Sequence, residues 1–176
     1  MATTPVIETA RLRLRRHRLD DFAACCALGS DPAAVRFIFQ KPLTPEEVWQ
    51  RLLRAAGHWA LMDHGLFVIE ERVSARMIGE VGLADFRRGL GDDFDGAPEF
   101  AWLLEEGAHG KGYATEAALA ALAWMEATCA PPRTVCIIDP ANLPSLRVAE
   151  KLGFRPFGEA DYKGKTVIKL ERSTSI

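Results

Sequence analysis

The stretch Glu99–Ala117 decides the fold of this chain, and it reads E-F-A-W-L-L-E-E-G-A-H-G-K-G-Y-A-T-E-A. An apolar strand is followed by a glycine-rich turn and then by an alanine-rich helix. The N–H groups of such a turn and the positive end of the helix dipole point in the same direction, which makes an anion site. Glycine suits Gly110 and Gly112 because a side chain there would hold the anion away from the backbone.

The composition is that of one ordinary globular domain. The chain has 176 residues, of which 48% are hydrophobic and 26% charged, and its net charge is −2. These values provide for one core and indicate neither a nucleic-acid partner nor a membrane partner. Arg11, Arg13 and Arg15 alternate with leucines. We therefore expect these arginines on the solvent face of a strand rather than in a nucleic-acid patch.

The cysteine pattern does not indicate a metal site. The four cysteines show no C-x-x-C spacing and are Cys25, Cys26, Cys129 and Cys136. We expect reduced, mostly buried thiols and no bound metal. The first residues lack the pattern of a signal peptide, and the longest apolar run, 113–125, is too short to span a bilayer. These features predict a cytoplasmic protein.

Hydrophobic periodicity and turn signals predict an α/β fold in the order β-α-α-β-β-β-α-β-α-β-β. The strands are expected at 7–15, 66–70, 76–86, 99–104, 134–138, 155–158 and 166–171. The helices are expected at 22–28, 46–62, 113–128 and 142–153, with a further short one ending near Phe37. The clearest helix start is a capping box from Thr44 to Glu47 with Pro45 at the first helical position. Gly79 and Gly82 inside a strand predict a bulge or a close approach by another backbone.

Spacing excludes two common phosphate-binding motifs. A P-loop requires Ser or Thr after its G-K pair, and Gly110-Lys111-Gly112-Tyr113 does not supply it. A dinucleotide-binding fingerprint requires a third small residue, and Thr115 stands at that position.

The turn resembles the first motif of the GCN5-related N-acetyltransferase (GNAT) superfamily. That motif is Q/R-x-x-G-x-G/A, and residues 109–114 match it except at His109. The strand E-x-x-W-x-L, followed by G-K-G-Y-A-T-E-A, resembles the sequence pattern of one branch of this superfamily. That branch acetylates the N-terminal alanine or serine of ribosomal proteins. The same branch carries T-A-R-L-x-L-R, N-x-x-S and K-L-G-F, which are present at 9–15, 142–145 and 151–154. The resemblance covers about 8–171 and implies a single domain over 1–176, with a mixed central sheet of about six to seven strands flanked by four helices.

The resemblance implies acetyl-CoA as cosubstrate, bound against the strand 99–104. Its pyrophosphate would lie on the loop 110–114, where Lys111 adds positive charge. Its pantetheine arm would pair with the strand backbone like an additional strand. The cofactor-binding residues that the resemblance implies are Trp102, Leu103, Leu104, His109, Gly110, Lys111, Gly112, Tyr113, Ala114, Thr115, Asn142 and Ser145.

Acetyl transfer to an amine requires a neutral amine, a stabilised oxyanion and a proton for the departing thiolate. The resemblance assigns the oxyanion to the backbone N–H of Leu103 or Leu104. Glu99 is the candidate base, acting directly or through a water, and its alternative role is that of an ordinary strand-edge carboxylate. Ser145 is the candidate acid.

Two helix starts are compatible with the residues around Ser145. If Asn142 is the N-cap, Ser145 is only the third helical residue. If Leu143 is the cap residue, Pro144 takes the first helical position and Asn142 is left to bind the pantetheine. We favour the second version.

Several other side chains have two interpretations. His109 either contacts phosphate or is simply exposed. Tyr113 and Tyr162 are candidate proton donors, although Tyr113 is better explained by packing beside the cofactor. Glu116 is better explained by a structural role at the helix start. The acidic loop, defined as Asp92, Asp93 and Asp95, lacks calcium-loop spacing and either lies in solvent or attracts a cationic amine.

These observations together predict an N-acetyltransferase that moves an acetyl group from acetyl-CoA to a primary amine by direct attack. The acceptor is either a protein N-terminal α-amine or a small-molecule amine, and the protein is either a monomer or a homodimer. The alternative is a catalytically silent module that senses acetyl-CoA. Intact Glu99, Asn142 and Ser145 favour the enzyme.

Overall fold

One mixed sheet of eight strands runs through the protein, in a computed structural model that describes residues 5–174. The strands are β1 (Val6–Glu8), β2 (Leu12–Arg15), β3 (Leu66–Glu71), β4 (Met77–Ala84), β5 (Glu99–Leu104), β6 (Arg133–Ile138), β7 (Arg155–Tyr162) and β8 (Lys165–Ser173). Their order across the sheet is β1-β2-β3-β4-β5-β6-β8-β7. Every neighbouring pair is antiparallel except β5 and β6, which are parallel.

Five helices accompany the sheet: α1 (Phe22–Ser30), α2 (Pro32–Val35), α3 (Pro45–Met62), α4 (Tyr113–Thr128) and α5 (Leu143–Lys151). The predicted start of α3 is confirmed. The Thr44 hydroxyl accepts the Glu47 N–H at 3.2 Å, and the Glu47 carboxylate accepts the Thr44 N–H at 2.8 Å. These two bonds satisfy N–H groups that have no partner within the helix.

The two faces of the sheet carry different helices. On one face α4 packs its buried alanines, including Ala117 and Ala121, into the main core with Phe100 and Leu104 of β5. Side chains alternate along a strand, so Leu103 points to the opposite face, where it packs against residues of α1 and α2. The register pairs Leu103 with Glu80 and Glu99 with Ala84. Glu80, Glu99 and Leu103 therefore share the face that is opposite to α4.

The predicted α/β fold is confirmed, but residues 5–174 form eight strands and five helices, where about six to seven strands and four helices were expected. The expected strand 7–15 is divided into β1 and β2 because the chain turns at Thr9, whose N–H donates to the Leu12 carbonyl at 2.9 Å. The Thr9 hydroxyl also accepts the Leu12 N–H at 2.9 Å, which closes the turn. The short helix α2 begins where the Asp31 carboxylate accepts the N–H groups of Ala33 and Ala34.

The expectation that Arg15 lies on a solvent face is wrong. Arg15 is only 6% exposed, whereas Arg11 and Arg13 are exposed as expected. Its guanidinium donates to both carboxylate oxygens of Asp21, at 2.7 and 2.8 Å, and to Glu70 at 2.6 Å. The Asp21 hydrogen bond raises the pKa of Arg15, with burial opposing it and Glu70 adding to it. The buried charge is thus paired on two sides, which burial of an arginine requires.

Gly82 in β4 lies where another backbone comes close, as predicted. A Cβ atom at this position would be 2.5 Å from the Gly65 carbonyl oxygen, and φ is +146°. Both facts exclude a larger residue without movement of the chain.

Among residues 5–174, no helix has the length and apolar character needed to cross a membrane. All four cysteines are unbridged. Cys25 and Cys136 are buried, but Cys129 is exposed, so the thiols are less uniformly buried than expected.

Candidate functional site

A gap opens between the parallel strands β5 and β6. They are paired only at Glu99 and Val135, where the Val135 N–H donates to the Pro98 carbonyl at 3.1 Å. Within the described residues the two strands form no further pair. From this point towards Leu104, the edge of β5 that faces β6 is open.

The strand register identifies which N–H groups face this gap. The Glu105 N–H donates to the carbonyl of Ile78, the second residue of β4, at 2.9 Å. Successive residues direct their N–H groups to opposite edges of a strand. The Leu103 N–H therefore points towards β4, whereas the N–H groups of Trp102 and Leu104 point into the gap.

A cavity of about 590 Å³ extends from this gap across the face of the sheet opposite to α4. One wall is formed by β5, β6 and the start of α5, and it contains Glu99, Trp102, Leu103, Asn142 and Ser145 from the predicted site. The other wall is formed by α3, the segment 37–39, Phe86 and Tyr162. Leu104 and the turn residues 109–115 lie outside the lining of the cavity.

Glu99 is buried and is held by an arginine that sequence reasoning missed. Arg88 donates to both Glu99 carboxylate oxygens, at 2.7 and 2.8 Å, and also to the Tyr162 hydroxyl oxygen at 2.7 Å. Glu99 is only 5% exposed. Burial raises the pKa of the Glu99 carboxyl above its ordinary value, although Arg88 opposes that rise. A raised pKa brings a carboxylate closer to the basicity that a general base needs.

The preferred version of the α5 start is wrong. Asn142 is the N-cap, and its side-chain oxygen accepts the Ser145 N–H at 3.3 Å. Pro144 is accordingly one position further into the helix than expected, and Ser145 is the third helical residue. Ser145 nevertheless lines the cavity, and its hydroxyl forms no hydrogen bond with residues 5–174. Both Asn142 and Ser145 are half-buried.

The turn before α4 has the conformation that its glycines permit. Gly110 and Gly112 have φ values of +72° and +78°, in the left-handed region. No side chain caps α4, so the N–H groups of its first turn are left for a ligand or for water. Arg11 holds the turn from the side, because it donates to the Lys111 carbonyl at 2.9 Å and its guanidinium lies 4.5 Å from the centre of the Tyr113 ring.

The remaining turn residues have mainly structural contacts. His109 is exposed, and its Nε2 donates to the Leu104 carbonyl at 3.0 Å. The Tyr113 hydroxyl donates to Glu71 at 2.8 Å. Glu116 accepts hydrogen bonds from the Thr9 hydroxyl at 2.6 Å and from Arg11 at 2.7 Å, which joins the helix start to the turn between β1 and β2. This agrees with the structural role expected for Glu116.

The acidic loop is fastened to the domain. Asp93 pairs with Lys169 at 2.5 Å, and Asp95 accepts the Gly91 N–H at 3.1 Å. Phe94 between them is 2% exposed. Within residues 5–174, only Asp92 of the three makes no such contact.

A second buried carboxylate, Glu80, also lines the cavity and was missed. It contacts His17 Nε2 at 2.9 Å and Arg51 at 3.2 Å. Burial works against ionisation of Glu80, but the hydrogen bond from His17 and the charge of Arg51 outweigh it and lower the pKa to about 2. Neither Glu80 nor Arg88 belongs to a sequence motif, since their partners are distant in the chain.

Comparisons with known proteins agree with this geometry. A family model described as an acetyltransferase (GNAT) domain matches residues 11–155. YnaD of Bacillus subtilis (strain 168), described as an uncharacterized N-acetyltransferase, is 28% identical over 152 residues, which is 86% of this chain and 84% of YnaD.

Solved structures show the same fold. A protein from Bordetella pertussis, described as a GNAT-family acetyltransferase, is 34% identical with a TM-score of 0.88, over 96% of this chain and 99% of that one. The ribosomal-protein-S5-alanine acetyltransferase of Vibrio fischeri has a TM-score of 0.76 at 20% identity, over 96% of each chain, and this likeness shows the fold alone. Because the family model covers most of the chain and the fold agrees, this protein belongs to the GNAT acetyltransferase family.

Proposed function

We propose that this protein transfers an acetyl group from acetyl-CoA to a primary amine in the gap between β5 and β6. The observation that carries the proposal is the open edge of β5, which begins beside the buried carboxylate of Glu99 and forms one wall of the cavity. An amine acetyltransferase requires a place for the thioester next to a group that can accept a proton. These two features adjoin each other here.

The residues fit acetyl-CoA at both ends of the gap. Within residues 5–174 the N–H groups of Trp102 and Leu104 have no strand partner, and they match the amide-rich pantetheine arm, which would extend the sheet. The uncapped start of α4, with Gly110 and Gly112 before it, matches a diphosphate. Lys111 is exposed beside it and adds positive charge.

Of the two backbone donors considered for the oxyanion, Leu104 is the better candidate. The register directs the Leu103 N–H into the pairing with β4, where it is already used, and directs the Leu104 N–H into the gap. A fixed backbone donor stabilises the oxyanion of the tetrahedral intermediate without having to reorganise. Loss of one such donor costs about 3 kcal/mol in other enzymes.

Glu99 takes a proton from the amine as its nitrogen attacks the thioester carbon, directly or through a water. The C–N bond forms, the C–S bond breaks, and the Ser145 hydroxyl supplies the proton to the departing thiolate. Solvent then restores the proton to Ser145. Arg88 fixes the position of both Glu99 oxygens, at 2.7 and 2.8 Å.

The proposal is tested by measuring the release of free thiol from acetyl-CoA in the presence of a panel of primary amines. We expect release that depends on the amine, together with an acetylated product that mass spectrometry detects. Tight binding of acetyl-CoA without release with any amine would instead support a sensor. Release that does not depend on amine would be hydrolysis and would contradict the proposal.

A further inference from the structure

Two of the cations that line the cavity have no counter-ion. Four positively charged side chains line it: Arg51, Arg54, Arg88 and Lys163. Arg51 pairs with Glu80 at 3.2 Å, and Arg88 pairs with Glu99 at 2.7 Å. Within residues 5–174, Arg54 and Lys163 form no ion pair.

The other carboxylates of the lining do not neutralise these two cations. Glu47 pairs with Lys41 at 3.3 Å, and Asp139 is 3.9 Å from Lys165. Both of these lysines lie outside the cavity lining. Arg54 and Lys163 are thus the two lining cations that have no ion-pair partner within residues 5–174.

Arg54 lies close to the proposed reaction centre. Its guanidinium lies 5.2 Å from the centre of the Phe86 ring, and the guanidinium of Arg88 lies 4.5 Å from the same ring. The Arg54 charge is also among those that oppose the rise in the pKa of Glu99. Arg54 is therefore a near neighbour of the Arg88–Glu99 pair.

The positive charges of Arg51 and Arg88 repel the positive charge of Arg54. Arg54 is exposed by surface area, yet partial desolvation, followed by the charges of Arg51 and Arg88, lowers its pKa. An arginine nevertheless stays charged at neutral pH. A bound anion would relieve the repulsion, and a planar carboxylate would fit the two-pronged geometry of a guanidinium.

We propose that the acceptor is a small primary amine that also carries a carboxylate, which Arg54 binds while the amine lies at Glu99. This inference rests on the proposed acetyltransferase function and specifies its substrate class. The guanidinium groups of Arg54 and Arg88 both lie near the Phe86 ring, at 5.2 and 4.5 Å from its centre. This closeness favours an acceptor whose amine and carboxylate are close together, as in an amino acid.

The size of the cavity favours a small acceptor over the N-terminus of a folded protein. Its volume is about 590 Å³, within the range for small-molecule sites. The same cavity must also admit the thioester arm along β5. Phe37, Phe39 and Leu43 line it on the side of α3 and add apolar surface for the remainder of the acceptor.

The test measures binding, which needs no turnover. The common L-amino acids and β-alanine are titrated by calorimetry into the full protein saturated with CoA, each beside its carboxamide. We expect at least one carboxylate to bind roughly 10- to 100-fold more tightly than its amide, as befits a hydrogen-bonded ion pair. Arg54→Gln should remove that difference, and Arg54→Lys should restore part of it.

The control variant is Arg155→Gln, which removes an exposed arginine of β7 outside the cavity and should leave both affinities unchanged. The inference is overturned if no carboxylate binds more tightly than its amide, or if the preference survives in Arg54→Gln. Thiol release with amides or peptides in those circumstances would leave the acetyltransferase function standing. Carboxylate binding by Arg54 without any thiol release would remove that function and leave an amino-acid site.

Discussion

Arg88 donates to both carboxylate oxygens of Glu99, at 2.7 and 2.8 Å, at the point where β5 separates from β6. The pair has two opposite effects on the candidate base. Burial raises the pKa of Glu99, and the guanidinium limits that rise. The pKa of Glu99 therefore depends on a balance between desolvation, which raises it, and the charge of Arg88, which lowers it. Each of these contributions can be changed separately.

Arg88→Gln should move the acidic limb of the pH–rate profile to higher pH. Without the guanidinium, burial is no longer opposed by Arg88, so the pKa of Glu99 rises further. The base is active when it is deprotonated, so activity is lost at a higher pH as the pH falls. The measurement is kcat/KM as a function of pH, and an acidic limb at the wild-type position would show that Arg88 does not tune Glu99.

Glu99→Gln should lower kcat on the order of 100-fold or more, with little effect on the affinity for acetyl-CoA, because it removes a general base without altering the gap. The matched control is Glu105→Gln, which removes a carboxylate just beyond the same strand that pairs with Arg76 at 3.1 Å. That variant should keep wild-type activity. If Glu99→Gln retains the wild-type pH–rate profile, Glu99 is not the base.

Gly112→Val should abolish acetyl-CoA binding and leave the domain folded. Gly112 has φ +78°, which a β-branched residue adopts only at a cost of about 1–3 kcal/mol, so the turn would change shape. Gly153→Val is the control. Gly153 also has a positive φ, +84°, but it follows the C-terminal end of α5, away from the gap. Gly153→Val should lower the free energy of unfolding without lowering the affinity for acetyl-CoA. Equal acetyl-CoA affinity in both variants would remove the turn from the binding site.

Glu80 should make the domain more stable at neutral pH than at acid pH. Its pKa is about 2 in the folded state, against an ordinary value of 4.5, so its contribution is complete above about pH 4.5 and declines as the pH falls towards 2. Glu80→Gln should therefore be less stable than wild type at about pH 7 by on the order of 3 kcal/mol.

The difference between the two urea-unfolding free energies should shrink as the pH is lowered from about 5 to about 3. Glu8→Gln serves as the control because Glu8 is exposed, with its nearest cation 3.8 Å away. A difference between Glu80→Gln and wild type that stays constant with pH would mean that the buried ion pairs of Glu80 do not contribute as described.

Local patterns predicted the elements of the site better than its charge pairs. The strand, turn and helix from Glu99 to Ala117 were recognisable because alternation, glycine and alanine content are properties of consecutive residues. Arg88 and Glu80 were missed because their partners are brought together only by folding, and Arg54 because the cavity that it lines exists only in the folded chain. Arg88 and Glu99, for example, are joined across the loop that contains the acidic residues.

Two errors have different physical origins. Arg15 alternates with leucine as an exposed strand residue does, and only Asp21 and Glu70 reveal that its charge is neutralised inside the domain. At the start of α5, Asn142 is a favourable N-cap and Pro144 is a favourable first helical residue. The two helix starts that they indicate differ by a single position. Tertiary contacts decided the case of Arg15, whereas a local hydrogen bond from the Ser145 N–H to Asn142 decided the start of α5.

The central claim is that the thioester lies along the open edge of β5, and a structure with bound acetyl-CoA tests it most directly. We predict that the pantetheine arm pairs with the N–H groups of Trp102 and Leu104, with an N–H of β5 that faces the gap at the thioester oxygen. The thioester carbon should lie within reach of an amine that contacts Glu99. An arm bound elsewhere, or a thioester directed away from Glu99, would contradict the account.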